Sequence, residues 1–192
     1  MSLNTRMHET IVIFILALFA FAIGGCSSSE SNGNNDSSIK AFTVISEAFL
    51  NGEQIPEKYT SADYSFPLAW ENEPKGTKSF AILIVDLHPV ANHWIHWAVL
   101  NIPANVHSLP EGASRTDKLP AGSQELLNSS ALPGFDPPAP PMGSGNHEYK
   151  TIVYALNVKS LEAPAHLPYE KFQELVSEHV LGTAEISGYY ER

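Results

Sequence analysis

From residue 40 onward, apolar residues group into short runs broken by Pro, Gly and Asn, and two of these runs predict the centre of the fold. Residues 80–85 (FAILIV) and 94–102 (WIHWAVLNI) have the Val-, Ile-, Phe- and Trp-rich make-up of strands. The turn between them carries Asp86, His88, Pro89, Asn92 and His93. A run as uniformly apolar as 81–85 suits a strand covered on both faces. It ends on Asp86, a carboxylate that needs a partner or a rim to sit on. The returning strand carries His96 between Ile95 and Trp97, which holds an imidazole in apolar surroundings. Acid and imidazole on neighbouring strand ends predict a small polar site on a hydrophobic scaffold.

Around this centre the pattern predicts further strands at 42–45 and 151–157, with 184–190 alternating as a last strand. Asn51-Gly52 and the stretch 73–77 (EPKGT) mark turns, and Pro67 suits a strand edge or turn. One helix is expected. Pro168 opens it, Phe172, Leu175, Val176, His179 and Val180 fall at helical spacing, and Gly182 is placed to end it. His179 on that face reads as a satisfied core histidine. Residues 103–148 are rich in Pro and Gly with little period, a long irregular region of the kind that is functional or disordered. Many strands, many turns and one late helix predict a mainly β, antiparallel β-sandwich.

The N-terminus belongs to targeting rather than to the fold. Arg6 precedes an apolar run at 11–23 that is short for a membrane span, and Gly24 and Gly25 lead into Cys26, the only cysteine. This pattern resembles a bacterial lipobox, which is cut before a cysteine that then carries lipid. An ordinary signal peptide, or an uncleaved anchor, with an incidental cysteine is the alternative. The expected organisation is a signal peptide at 1–25, lipidated Cys26 with a Ser/Asn-rich tether over 26–39, and a folded domain at 40–192. Lipid on Cys26 implies the extracytoplasmic side of the cell envelope. The net charge of −10, with pI near 5.2, excludes a basic stripe for nucleic acid. Signature loops for nucleotides and G-x-S-x-G are missing, and no cofactor is implied.

A second polar cluster lies in GFDPPAPPMGSGNHEY, residues 134–149. Its prolines, Pro140 among them, stiffen the loop, while Gly143, Ser144 and Gly145 free the backbone to present N–H groups, a pattern that forms anion-binding concavities. His147 and Tyr149 follow at spacing two, on one face if the strand predicted at 151–157 has already begun there. With Asp86, His88 and His96 the set is mainly hydrogen-bond donors, suited to phosphate or carboxylate.

In order, AFLNGEQIPEKYT, PLAW, GTKSFAILIVD, HWIHWAVLNIP, GFDPPAPPMGSGNHEY, YAL and HVLGTAEISGYYER resemble the phosphatidylethanolamine-binding protein family in its bacterial Raf-kinase-inhibitor-like branch. The resemblance implies a Greek-key type β-sandwich with a small pocket for phosphate, phosphorylated head groups or similar anions. It maps the pocket aspartate to Asp86, the histidines to His96 and His147, the tyrosine to Tyr149, and the preceding loop to 139–145. It also implies a binder or inhibitor of partner proteins such as kinases or proteases, rather than an enzyme. Two departures stand out: the family's Asp-Pro-Asp-Ala-Pro is Asp86-Leu87-His88-Pro89-Val90, and its Ser-Pro is Phe66-Pro67. An imidazole in place of the second acid favours anions at the pocket mouth and disfavours an amine such as ethanolamine.

Three other readings remain open at this level. Asp86 and His96 can be a purely structural pair. A metal would draw on His88, His93, His96 and His147, but His93 and His96, three apart on one strand, are expected to face opposite sides. A weak hydrolase or metal-dependent enzyme would use Asp86, His96 and His147, although no motif places a serine or lysine as nucleophile. His107 and His166 read as surface residues. A homodimer through sheet edges is compatible with the sequence.

Overall fold

The computed structural model describes residues 40–192; the expected signal peptide, Cys26 and the expected tether lie outside the described residues. Among the described residues eight strands and one α-helix follow in the order β1 (Thr43–Ile45), β2 (Leu68–Glu71), β3 (Ser79–Asp86), β4 (Trp94–Pro103), β5 (Ser108–Leu109), β6 (Gln124–Glu125), β7 (His147–Leu156), α1 (Tyr169–Ser177) and β8 (Val180–Tyr190). They form a three-stranded sheet, β1-β2-β5, and a five-stranded sheet, β6-β4-β3-β7-β8, and neighbouring strands in both are antiparallel. The fold is the expected mainly β architecture with a single late helix.

The uninterrupted apolar run of β3 has a direct cause, since this central strand is buried on both faces. Phe80, Ile82 and Ile84 join Val44, Leu68 and Trp70 of the small sheet in one core, with Trp97, Val99, Val153 and Ile186. Ala81, Leu83 and Val85 point the other way, into a second core closed by Leu161 and by Phe172 and Val176 of α1. Strand alternation thus divides one apolar sequence between two layers.

The late segment differs from expectation. α1 stops at Ser177, and Val180 and Gly182 stand inside β8 instead of continuing and ending the helix. The β8 ladder runs along β7 from Leu156↔Val180 to His147↔Tyr190, and those interstrand bonds outcompete helical continuation through Val180 and Thr183. Gly182 serves packing: a Cβ there would lie 2.8 Å from Pro74 Cγ. His179 is half-buried with its ring 3.3 Å from Asn157 Oδ1.

Between β4 and β7 the long region contributes only the two-residue strands β5 and β6, and side chains fix its path. Asn128 Oδ1 accepts from the Ser130 and Leu132 amides while its Nδ2 donates to Gly134 O, and Ser114 Oγ accepts from Phe135 N–H. These bonds give a strandless loop a defined course.

Candidate anion-binding site

The site forms where β3, β4 and β7 end together. Asp86, the last residue of β3, is registered between Trp94 of β4 and Tyr149 of β7. The pairing of β3 with β4 then slips: Ile84 faces Trp97 and Val85 faces Ile95, so His96 is left without a cross-strand partner. Such a bulge re-aims a side chain. The loop from 126 to 136 docks on this edge, with Ile95 N–H donating to Ser129 Oγ at 2.8 Å and Asp136 N–H to His96 O at 2.8 Å.

His96 is buried, and its Nδ1 lies 2.7 Å from the Asp136 carbonyl oxygen. A carbonyl can only accept, so Nδ1 carries the hydrogen and Nε2 is left as the lone-pair edge for the cleft. Burial holds this imidazole below its ordinary pKa, against the opposing pull of the Asp136 carbonyl and the charges of Asp136 and Asp86.

Asp86 pairs with His147 rather than with His96. His147 Nδ1–H donates to Asp86 Oδ2 at 2.6 Å, and Asp86 Oδ1 accepts from His88 N–H at 2.8 Å. The reason is topological: β7 lies beside β3 and brings His147 to Asp86, while the bulge turns His96 toward the docked loop. The His88 ring stacks on that of His147 with centroids 3.9 Å apart, and His147 Nε2 stands 2.8 Å from Ser144 Oγ. The fold therefore does set a serine on an imidazole, which no sequence motif indicated.

Tyr149 completes the base of the site. It is 1% exposed, and its hydroxyl has no hydrogen-bond partner among the described residues. Its ring meets His96 edge-on at 5.1 Å. Burial first, and the Asp86 charge second, push the phenol above its usual pKa. Asp86 acts on it as a charge and only weakly as an acceptor.

These groups open into a cleft of ≈820 Å³, lined at its base by Asp86, His96, His147 and Tyr149 and along its walls by Trp94, Asp136, Pro137, Ala139, Pro140 and Pro141. The volume far exceeds that of a bare phosphate. Gly143, Ser144, Gly145 and His88 are not lining residues. The expected backbone donors of the glycine loop are also partly committed, because Gly143 N–H donates to Arg192 O at 3.0 Å and Ser144 N–H to Pro141 O at 3.2 Å. Arg192 returns the contact, its Nε donating to Pro140 O at 2.8 Å and its guanidinium to Ala139 O at 3.2 Å. The loop is held as a wall rather than left free to wrap a ligand.

His93 belongs to the turn, with φ of 58°, and lines the same cleft as His96 instead of facing away from it. Its ring lies 4.4 Å from that of Tyr169 and its Nδ1 3.5 Å from Glu170 Oε1. His107 and His166 are exposed, the latter at the outer cleft. Among the described residues no group of three or more His, Cys, Asp or Glu is disposed to hold a metal ion.

Sequence reasoning passed over Asp136 and Trp94. Asp136 anchors His96 through its backbone and accepts from Trp94 Nε1 at 3.1 Å and Ser130 Oγ at 3.0 Å. The signal available was the acid standing before two prolines in GFDPPAP, a carboxylate placed on a stiffened loop.

The two-sheet fold is that of the phosphatidylethanolamine-binding protein class, and sequence comparison agrees. Residues 45–191 match the family described as Phosphatidylethanolamine-binding protein, and the chain belongs to that family. It is similar to the UPF0098 protein YbcL of Escherichia coli, 34% identical over 161 residues that cover 79% of this chain and 88% of YbcL. A UPF0098 protein of Aquifex aeolicus is also 34% identical, over 78% of this chain and 88% of its own. The crystal structure of YbcL, described as a new member of the mammalian PEBP family, superimposes with a TM-score of 0.73, covering 79% of this chain and 98% of that one. The putative lipoprotein LppC of Mycobacterium tuberculosis is 25% identical over 98% of this chain and 100% of its own. Among the described residues no helix is long and apolar enough to cross a membrane.

Proposed function

We propose that this protein binds a small anion, such as a phosphate, a phosphorylated group or a carboxylate, at the base of the cleft, and that the cleft itself works by binding rather than by turnover. The observation that carries the reading is the Tyr149 hydroxyl, a buried donor with no partner of its own beside the open Nε2 edge of His96. A buried donor left unmade is costly, and a ligand oxygen relieves that cost. Asp86 holds His147, and His96 gains a proton as the anion arrives. His88, stacked on His147, steadies that ring from outside the cleft.

Lipid on Cys26 would tether the protein to the envelope membrane on its extracytoplasmic side, a reading supported by the lipobox-like sequence and by the lipoprotein name of LppC. From there the cleft would read a phosphorylated or acidic group on a partner and regulate it. Calorimetric titration of the full-length protein in detergent with inorganic phosphate tests the site. His96→Ala loses ~1.5–3 kcal/mol of binding, the worth of a hydrogen bond to a charged group. Wild-type affinity in that variant contradicts the assignment.

A further inference from the structure

Asp86, His147 and Ser144 form one hydrogen-bonded chain, and its order is that of an acid, a base and a nucleophile. Asp86 Oδ2 lies 2.6 Å from His147 Nδ1, and His147 Nε2 lies 2.8 Å from Ser144 Oγ. The acid is itself fixed by the His88 amide at 2.8 Å, and the imidazole by the His88 ring stacked at 3.9 Å. A base whose far nitrogen is pinned by a carboxylate, and whose near nitrogen meets a hydroxyl, is the geometry that activates serine in unrelated hydrolase folds.

The surroundings of Ser144 fit the same use. His147 is 0% exposed, whereas Ser144 is half-buried on a loop that faces solvent. Gly143 and Gly145 flank it with φ of 75° and 90°, and a Cβ added at either meets nothing within 4 Å, so the backbone on each side of Ser144 borders open space. Gly145 and Asn146 donate their amides to no protein acceptor among the described residues. The amide just after a nucleophile is a recurrent oxyanion donor. Ser144 Oγ donates to Pro141 O at 2.6 Å, so its proton turns from that carbonyl to His147 Nε2 before it can be transferred. In the neutral imidazole Nδ1–H is committed to Asp86, which leaves Nε2 as the acceptor that becomes a base.

We propose that Ser144 is an acylatable nucleophile, activated by His147 and Asp86, and that small carboxylic esters are its substrate class. Ser144 Oγ forms a bond to the ester carbonyl carbon while its proton passes to His147 Nε2, and Asp86 stabilises the imidazolium. The carbonyl re-forms as the bond to the alkoxy oxygen breaks, and the leaving alcohol takes the proton from Nε2. Water then attacks the acyl-serine with His147 as base, releasing the carboxylic acid and restoring the hydroxyl. The balance is ester plus water to acid plus alcohol, with no further reactant. This activity goes beyond anion binding, and Ser144 is not among the residues lining the anion cleft.

The test is a fluorophosphonate probe on the full-length protein in detergent, followed by intact-mass and peptide mass spectrometry. One adduct is expected, on Ser144, formed roughly a hundredfold faster than on the urea-denatured chain, the low end of what a positioned general base contributes. Ser144→Ala takes up no probe and loses the hydrolysis of p-nitrophenyl acetate. Asp86→Asn, which keeps the side-chain shape, slows labelling of Ser144. No adduct on Ser144, labelling no faster than in the denatured chain, or full esterase activity in Ser144→Ala overturns the proposal. Phosphate binding by the wild type, measured in parallel, keeps failure of this proposal separate from failure of the anion-binding reading.

Discussion

Replacing Tyr149 by Phe sets stability and binding against each other. The ring is 1% exposed, so its packing against His96 and the core is retained in full, while the hydroxyl that is lost has no hydrogen-bond partner among the described residues. An unsatisfied buried polar group costs ~1–3 kcal/mol, part of which its weak interaction with Asp86 returns. Tyr149→Phe therefore gains about 1 kcal/mol, which for a domain of this size raises Tm by about 2–4 °C. The same hydroxyl is a donor to the anion, and its loss weakens phosphate binding by ~1.5 kcal/mol, a little over tenfold. Thermal unfolding without phosphate and calorimetry with it read the two effects on one sample. A variant destabilised by more than about 1 kcal/mol would mean that the hydroxyl makes a structural bond. Unchanged phosphate affinity would remove Tyr149 from the site.

Four further outcomes follow from the structure. Asp86→Ala strands His147 Nδ1–H and the His88 amide in the interior and costs ~3–5 kcal/mol in urea unfolding, whereas Lys150→Ala, which breaks an exposed pair with Glu185, costs less than about 1 kcal/mol; equal losses would refute the buried-pair account. His96 has a lowered pKa in the folded state, so below about 6.5 the unfolded chain takes up a proton that the fold refuses. Stability is then full above that pH and falls as pH drops toward the folded value, and His96→Gln flattens this acid-side slope in pH-dependent unfolding. Phosphate binding takes up a proton on His96 and strengthens as pH falls over the same range; inorganic sulfate is the control because phosphate itself titrates, and a flat profile with sulfate contradicts the role. Gly188→Ala drives a Cβ to 2.5 Å from Ile55 Cγ1 and 2.8 Å from Phe49 Cε2, costing ~1–3 kcal/mol and loosening the loop that pairs with the end of β8; a melting curve like the wild type's would refute that reading.

The strands around the site were legible because their signal is local. The runs at 80–85 and 94–102 match β3 and β4 to within a residue at each end, since β-branched and aromatic residues between turn formers leave little alternative. The end of α1 was not, because Val180 and Gly182 satisfy a helical period locally and are claimed for β8 by a ladder along the whole of β7. The same limit governed the site. Asp86, His96, His147 and Tyr149 do converge on one cleft, yet their pairing depends on which strand neighbours β3 and on a one-residue slip in β4. Neither leaves a mark in composition. The glycine loop illustrates the converse case: Gly143 and Gly145 adopt the positive φ that their sequence invites, but Gly143 and Ser144 spend their amides on Arg192 and Pro141.

The central claim is that the cleft binds one small anion, and native mass spectrometry of full-length protein purified without phosphate tests it most directly. Titration with inorganic phosphate, phosphoethanolamine and a divalent cation should give a saturable one-to-one adduct with phosphate that is lost in a Tyr149→Phe, His96→Ala double variant. Phosphoethanolamine should bind no more tightly than phosphate, because Asp86, Asp136 and Glu170, the acids lining the cleft, already have partners in His147, Trp94 and His93. Metal adducts with no anion adduct, or phosphate adducts that survive in the double variant, would contradict the account.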